Sequence, residues 1–210
     1  MADAVTGRDR ATATLGLCGP LAALMFLAAD LAGAAATPGY SMTSQAISEL
    51  MERGAPAKRI VDPLLVAYHG LVMPFALALH RGLPAGGAAG PLLIGVAGAA
   101  GVILTLFFPC DPGCAPFVSL RGMLHIFIAI PMGFAILIGL WRVAGRLRAR
   151  PALARYTRVT AALGLLLAVV TVALAETQVV GLFERALTWS YLQWYAVTGW
   201  LLWRGALSAA

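Results

Sequence analysis

Residues 120–141 read LRGMLHIFIAIPMGFAILIGLW, from Leu120 to Trp141. A single Arg and a single His interrupt an otherwise apolar run. About 20 apolar residues in an α-helix, rising 1.5 Å each, cross the roughly 30 Å hydrocarbon core of a bilayer. The stretch is too long for a strand and too apolar for a solvent-facing helix, so it reads as a membrane span. Similar runs lie on both sides of it, near residues 12–36, 61–79, 87–108, 159–179 and 186–203. The last begins somewhere between Leu182 and Trp189.

The whole chain agrees. Of 210 residues, 60% are hydrophobic and 11% are charged, and the mean hydropathy is +0.85. A soluble domain carries about 45–50% apolar and 25% charged residues. The expected fold is therefore all-α and integral to the membrane. It has six transmembrane helices in one domain covering residues 1–210. The composition excludes intrinsic disorder, and three Cys are too few for a disulfide-dense secreted scaffold. The net charge of +6 does not indicate nucleic-acid binding, because six of the basic residues crowd into the short segment from Arg142 to Arg158. Arg8 and Arg10 before the first span, and Ala34-Ala35-Ala36 at its end, imitate a signal peptide. The run of about 25 apolar residues is too long for one, where roughly 7–15 are expected.

Basic residues set the orientation. With the N-terminus inside, Arg8, Arg10, Arg81, Arg142, Arg146, Arg148, Arg150, Arg155, Arg158 and Arg204 face inward. Arg53, Lys58, Arg59, Arg121 and Arg185 face outward. The excess predicts both termini in the cytoplasm of a bacterial inner membrane. His80-Arg81 reads as an interfacial anchor. The acids show the opposite bias. Asp3 and Asp9 are inside, whereas Asp30, Glu49, Glu52, Asp62, Asp111, Glu176 and Glu184 fall on the outer side. That end is polar and is where function is expected.

The first outer loop, residues 37–60, opens on Pro38-Gly39 and closes on Gly54-Ala55-Pro56, both turn signals. Met42, Ala46, Ile47, Leu50 and Met51 recur between them at helical spacing, which predicts a short amphipathic helix at the outer interface. Asp62-Pro63 reads as an acidic N-cap with Pro at the first helical position. Gly95, Ala97, Gly98, Ala99 and Gly101 in the third span permit close helix packing. The Trp and Tyr residues of the last span read as interfacial belts at its ends and as packing in its middle. Cys18 reads as a packing residue.

Ionisable groups inside a membrane are expensive and mark function. His69 and His125 lie in the outer halves of the second and fourth spans. Asp30, Glu176, Glu184 and Arg185 lie near the outer ends of the first, fifth and sixth. All can converge on an outward-facing polar cavity, and Glu49 is a candidate partner for Arg185. The run Cys110-Asp111-Pro112-Gly113-Cys114 is a tight turn that can bring two sulfurs together. On the exported side such a pair oxidises, so a Cys110–Cys114 disulfide is expected. Zinc is the alternative there, with Asp111 and His125 as helpers.

Several of these pieces together resemble a known family. Gly39-Tyr40-Ser41, Ser48-Glu49-Leu50, Gly54-Ala55-Pro56, Phe108-Pro109 with Asp111, His125, and Gly181-Leu182-Phe183-Glu184-Arg185 are similar to the bacterial membrane family called domain of unknown function 998. The likeness runs from about residue 12 to 205. The Cys110/Cys114 pair departs from the family pattern. The six helices and the Ser- and Pro-containing first outer loop are also remotely similar to the eukaryotic GPI-lipid-remodelling factors and autophagy modulators, which points toward lipids.

Three functions remain open on the sequence. The first is a lipid-directed hydrolase or transferase, with Ser44 or Ser48 as nucleophile, or with a zinc ion on His69, His125 and Asp111, and with Glu49 nearby. The second is a transporter or lipid-binding protein whose vestibule is lined by Ser44, Asp30, Glu176, Glu184 and Arg185. The third is a haem protein with His69 and His125 as axial ligands. The expected partners are membrane lipids and further copies of the chain.

Overall fold

The computed structural model describes residues 10–207, and among these residues the regular structure is helical. Asp3, Arg8 and Asp9 of the expected inner side lie outside the described residues. The long helices are α1 (Cys18–Ala36), α2 (Lys58–Gly82), α3 (Ala89–Phe107), α4 (Leu120–Arg146), α5 (Pro151–Ala173) and α6 (Val180–Trp203). α1 is the main part of a helical span that begins at Arg10. Five of the helices, α1 to α5, are long and apolar enough to cross a membrane. α6 is also long, at 24 residues, but Glu184, Arg185, Gln193 and its many Trp and Tyr residues lower its hydropathy. This is a multi-pass membrane protein by length and composition.

Each helix packs against the next in sequence, and α6 returns to α1, closing a ring. At one end of the ring, where α1 stops and α6 starts, Asp30 meets Arg185. At the other end a Cβ on Gly16 would stand 2.8 Å from Leu202 Cβ, and one on Gly199 would stand 2.4 Å from Gly16 O. The backbones of the span that includes α1 and of α6 touch there because Gly16 and Gly199 themselves carry no side chain. α2 and α6 also meet across the centre, where Phe75 packs on Trp194 and Tyr195 at centroid distances of 6.2 and 5.2 Å. Trp194 is fully buried and donates its indole N–H to Thr157 Oγ1 on α5 at 2.9 Å. Trp200 and Trp203 stack near the end of α6 and stay partly exposed. The outside of the ring is apolar and exposed, with Phe127, Ile130, Phe134 and Ile138 of α4 pointing away from the core. An apolar surface that extensive fits contact with lipid rather than water.

Three local expectations are corrected. The first loop holds no amphipathic α-helix. It contains a five-residue 3-10 helix, Ile47–Met51, which turns Ile47, Leu50 and Met51 into the core. The preceding residues are used instead to present backbone carbonyls to Arg185. Asp62 is not a helix cap, because α2 starts a turn earlier at Lys58 and Asp62 pairs with Lys58 Nζ at 2.8 Å. The basic segment from Arg142 to Arg158 is mostly helical. α4 runs to Arg146 and α5 starts at Pro151, where a proline is pre-set for the first helical turn. The fifth helix is therefore displaced toward the N-terminus from the expected 159–179, since the arginines near its start lie along a helix end that hydropathy discounts.

Both ends of the ring are closed by an arginine. At the second end Arg146 donates to Pro84 O, His80 O and Leu83 O at 2.9–3.0 Å, satisfying carbonyls left over where α2 stops. Filling the α1–α6 contact should open the ring. Gly199→Leu is expected to lower stability by about 1–3 kcal/mol or more, read as a lower unfolding temperature in detergent. Val197→Leu, about half a turn away at an exposed position, should leave it unchanged.

Candidate functional site

The acidic end is organised around one guanidinium. Arg185, buried in the first turns of α6, forms a two-pronged ion pair with Asp30 of α1: Nη2 to Oδ1 at 2.8 Å and Nε to Oδ2 at 3.1 Å. Nη1 donates to Met42 O at 2.7 Å, Gln45 O at 2.9 Å and Gly181 O at 3.1 Å. Nη2 also donates to the Tyr40 hydroxyl at 2.6 Å, and Cζ lies 5.6 Å from the Tyr40 ring centroid. The Tyr40 hydroxyl in turn donates to Ala46 O at 2.8 Å. A planar fork with five N–H donors suits this task, and a lysine ammonium does not.

The loop is drawn down onto α6 by the same contact. A Cβ at Gly181 would stand 2.2 Å from Gln45 O, so only glycine admits the loop there. Leu182 N donates to Thr43 O at 3.0 Å, and the Glu184 carboxylate accepts from Ile47 N at 2.8 Å. Glu49 is not the partner of Arg185. Its carboxylate accepts from Ala46 N at 2.8 Å and from Gln45 Nε2 at 2.7 Å, because the tight 3-10 turn leaves those donors within its reach. The two glutamates thus satisfy loop backbone, and the buried aspartate takes the arginine.

A second cluster joins the first loop to the α3–α4 corner. Cys110 and Cys114 are bonded through their sulfurs. Ser48 Oγ lies 3.2 Å from Cys114 Sγ, Arg53 N donates to Cys110 O at 3.1 Å, and Gly113 N donates to Glu52 Oε2 at 2.6 Å. Asp111 is buried and accepts from Ser119 N at 3.0 Å and from Ser119 Oγ at 2.8 Å. Ser119 in turn caps α4 by accepting from Gly122 N at 3.1 Å. His125 follows on the same helix, with Nδ1 2.8 Å from Phe108 O.

The remaining expected site residues are dispersed. His69 packs its ring where a Cβ on Gly101 would stand, 2.0 Å from Nδ1, at the contact between α2 and the small-residue stripe of α3. Glu176 is exposed in the turn before α6, and Ser44 is half-buried in the first loop. Among the described residues, the three potential metal donors that converge are Glu52, Cys110 and Cys114, whose donor atoms all lie within 4.8 Å of one another. His69, His125 and Asp111 are each engaged in separate contacts. An open groove of about 540 Å³ lies at the start of α2, lined by Gly54, Pro56, Lys58, Arg59 and Asp62 among others.

Residues 20–201 match the family described as protein of unknown function, DUF998. The chain belongs to this family. No curated protein and no solved structure matches it. The Gly-Leu-Phe-Glu-Arg run that carries the family likeness is, in this DUF998 protein, the segment that seats the first loop. Gly181 makes room, Glu184 accepts from the loop backbone, and Arg185 gathers the carbonyls. Tyr40 and Gln45 were not singled out as site residues by sequence. Tyr40 stands inside the resembling motif, which is the signal that points to it. Glu52 gave no such signal, since no local spacing ties it to Cys110 and Cys114.

Removing one member of a buried ion pair strands the other charge and costs about 3–5 kcal/mol. Asp30→Leu and Arg185→Met should each destabilise by about that much in detergent unfolding, and the double variant should lose less than the sum. Burial is the main cause that pushes the Tyr40 phenol up from 10.0 to about 12, against the pull of Arg185. Between those pH values the folded state keeps a proton that the unfolded chain has lost. Stability present below pH 10 is therefore lost as pH rises toward 12, and Tyr40→Phe should remove that part of the loss.

Proposed function

We propose that this is a six-crossing protein of the bacterial inner membrane, with both termini in the cytoplasm, and that its acidic end is a rigid lipid-binding surface. α6 runs beside α1 from the Asp30–Arg185 pair to the Gly16–Gly199 contact, and 24 residues span about 36 Å, which supports the sixth crossing. The excess of arginine near the Arg146 end supports the orientation.

The observation that carries the binding role is the groove at the start of α2. Lys58 and Arg59 line it, Arg53 is exposed a few residues before it, and the exposed Ile60 follows directly. Asp62 lines the same groove and pairs with Lys58 at 2.8 Å. The net positive charge of the rim therefore comes from Arg59 and the neighbouring Arg53. Above an apolar helix surface, that charge suits an anionic headgroup whose chains lie along the ring. Catalysis would need a nucleophile beside a base or a metal. Ser48 Oγ faces Cys114 Sγ, and Glu49 is taken up by Ala46 N and Gln45. This supports binding over a hydrolase or transferase.

The test is native mass spectrometry of the detergent-purified protein with phosphatidylglycerol or phosphatidylcholine. The anionic lipid should be retained in preference to the zwitterionic one. Each basic residue near a membrane surface contributes about 1 kcal/mol. Lys58→Ala with Arg59→Ala should therefore weaken retention roughly tenfold, after allowing for the Lys58–Asp62 pair. Equal retention of the two lipids, or no change in the double variant, overturns the reading.

A further inference from the structure

We propose that the corner formed by Glu52, Cys110 and Cys114 is a redox-gated site for a thiophilic divalent cation such as zinc, occupied when the two cysteines are reduced. The three donors come from two separate loops, yet their ligand atoms lie within 4.8 Å of one another. The C-x3-C spacing falls in the range used by zinc sites, where Zn–S bonds are about 2.3 Å and Zn–O bonds about 2.0–2.2 Å. Glu52 is held toward the sulfurs by Gly113 N, which donates to Oε2 at 2.6 Å. Its Oε1 is therefore free of that hydrogen bond and available as a ligand.

The surroundings suit thiolates. Ser48 Oγ lies 3.2 Å from Cys114 Sγ, where its hydroxyl proton can be donated to a coordinating sulfur. Cys110 is buried, Cys114 is half-buried, and Pro112 and Gly113 are exposed, so an ion can enter from one side. Two sulfurs and one carboxylate leave the fourth tetrahedral position to water.

The chemistry balances. An external dithiol reduces the Cys110–Cys114 bond, becomes a disulfide itself and leaves two thiols. Each thiol releases its proton to solvent as its sulfur binds the cation. Oxidation by a disulfide of the same class reverses the sequence and expels the ion, because sulfurs bonded to each other no longer offer thiolate charge. The site would therefore exclude the ion when cross-linked and admit it when reduced.

The experiment uses the full chain in detergent in a Cys18→Ala background, so that the remaining thiol does not contribute. Oxidised protein, and protein reduced with a phosphine and desalted without oxygen, are each equilibrated with zinc and analysed for metal per chain. Cobalt(II) is titrated in parallel for sulfur-to-metal charge-transfer absorption. The oxidised sample, which keeps the fold intact, should hold no zinc, and the reduced sample about one. Cys114→Ser should abolish the charge-transfer band. Glu52→Gln should weaken zinc binding by more than about tenfold. Ser48→Ala, which alters only a partner of the ligand, should weaken it about tenfold. Equal zinc in oxidised and reduced protein, or no zinc in the reduced protein, overturns the proposal. So does an unchanged affinity in Glu52→Gln.

Discussion

The Asp30–Arg185 pair fixes where the last helix must stand relative to the first. Both charges are buried, and neither is stable in that setting without the other. The guanidinium has more donors than one carboxylate can use. The surplus goes to Met42, Gln45 and Gly181 carbonyls and to Tyr40. One side chain thus closes the helix ring and folds the first loop over its end. The loop cannot become a free helix without withdrawing the carbonyls that the arginine requires.

A membrane bundle has to satisfy backbone groups wherever its helices stop, because lipid offers no replacement for water. The two ends solve this in the same way from different helices. Arg185 collects loop carbonyls at the acidic end, and Arg146 collects the last carbonyls of α2 at the other. Asp111 and Ser119 treat the start of α4 in the complementary sense, with a carboxylate and a hydroxyl receiving N–H groups. Most of the polar side chains that stand out in so apolar a chain are therefore engaged with backbone.

That engagement explains what sequence could and could not disclose. Hydropathy located the helices because the bilayer demands length, and it erred where charge sits along a helix end, as at Arg155 and Arg158 in α5. Apolar periodicity suggested a helix over residues 42–51. The spacing of Ile47, Leu50 and Met51 was a true signal of burial, but the hydrogen-bonding demand of Arg185, 140 residues away from Gln45, decided the backbone. Asp30 and Arg185 were both visible as costly charges. Their pairing was not, since Glu49 lies equally well in sequence and differs only in how its turn directs it. Asp62-Pro63 looked like a helix start because local capping rules do not register that Lys58 has begun the helix already. The meeting of Glu52 with Cys110 and Cys114 depends on two loops folding together, and no pattern within either loop encodes it.

The 155-residue separation of Asp30 from Arg185 also has a consequence during synthesis. Ribosomes add about 5–20 residues per second, so the carboxylate of the first helix waits roughly 8 to 30 s for its partner to be made. Through that interval α1 is in the membrane with an acid at its end that nothing in the nascent chain neutralises by this pairing. The ring can be completed only when α6 arrives, which makes its closure an event that follows synthesis of the five long helices before it.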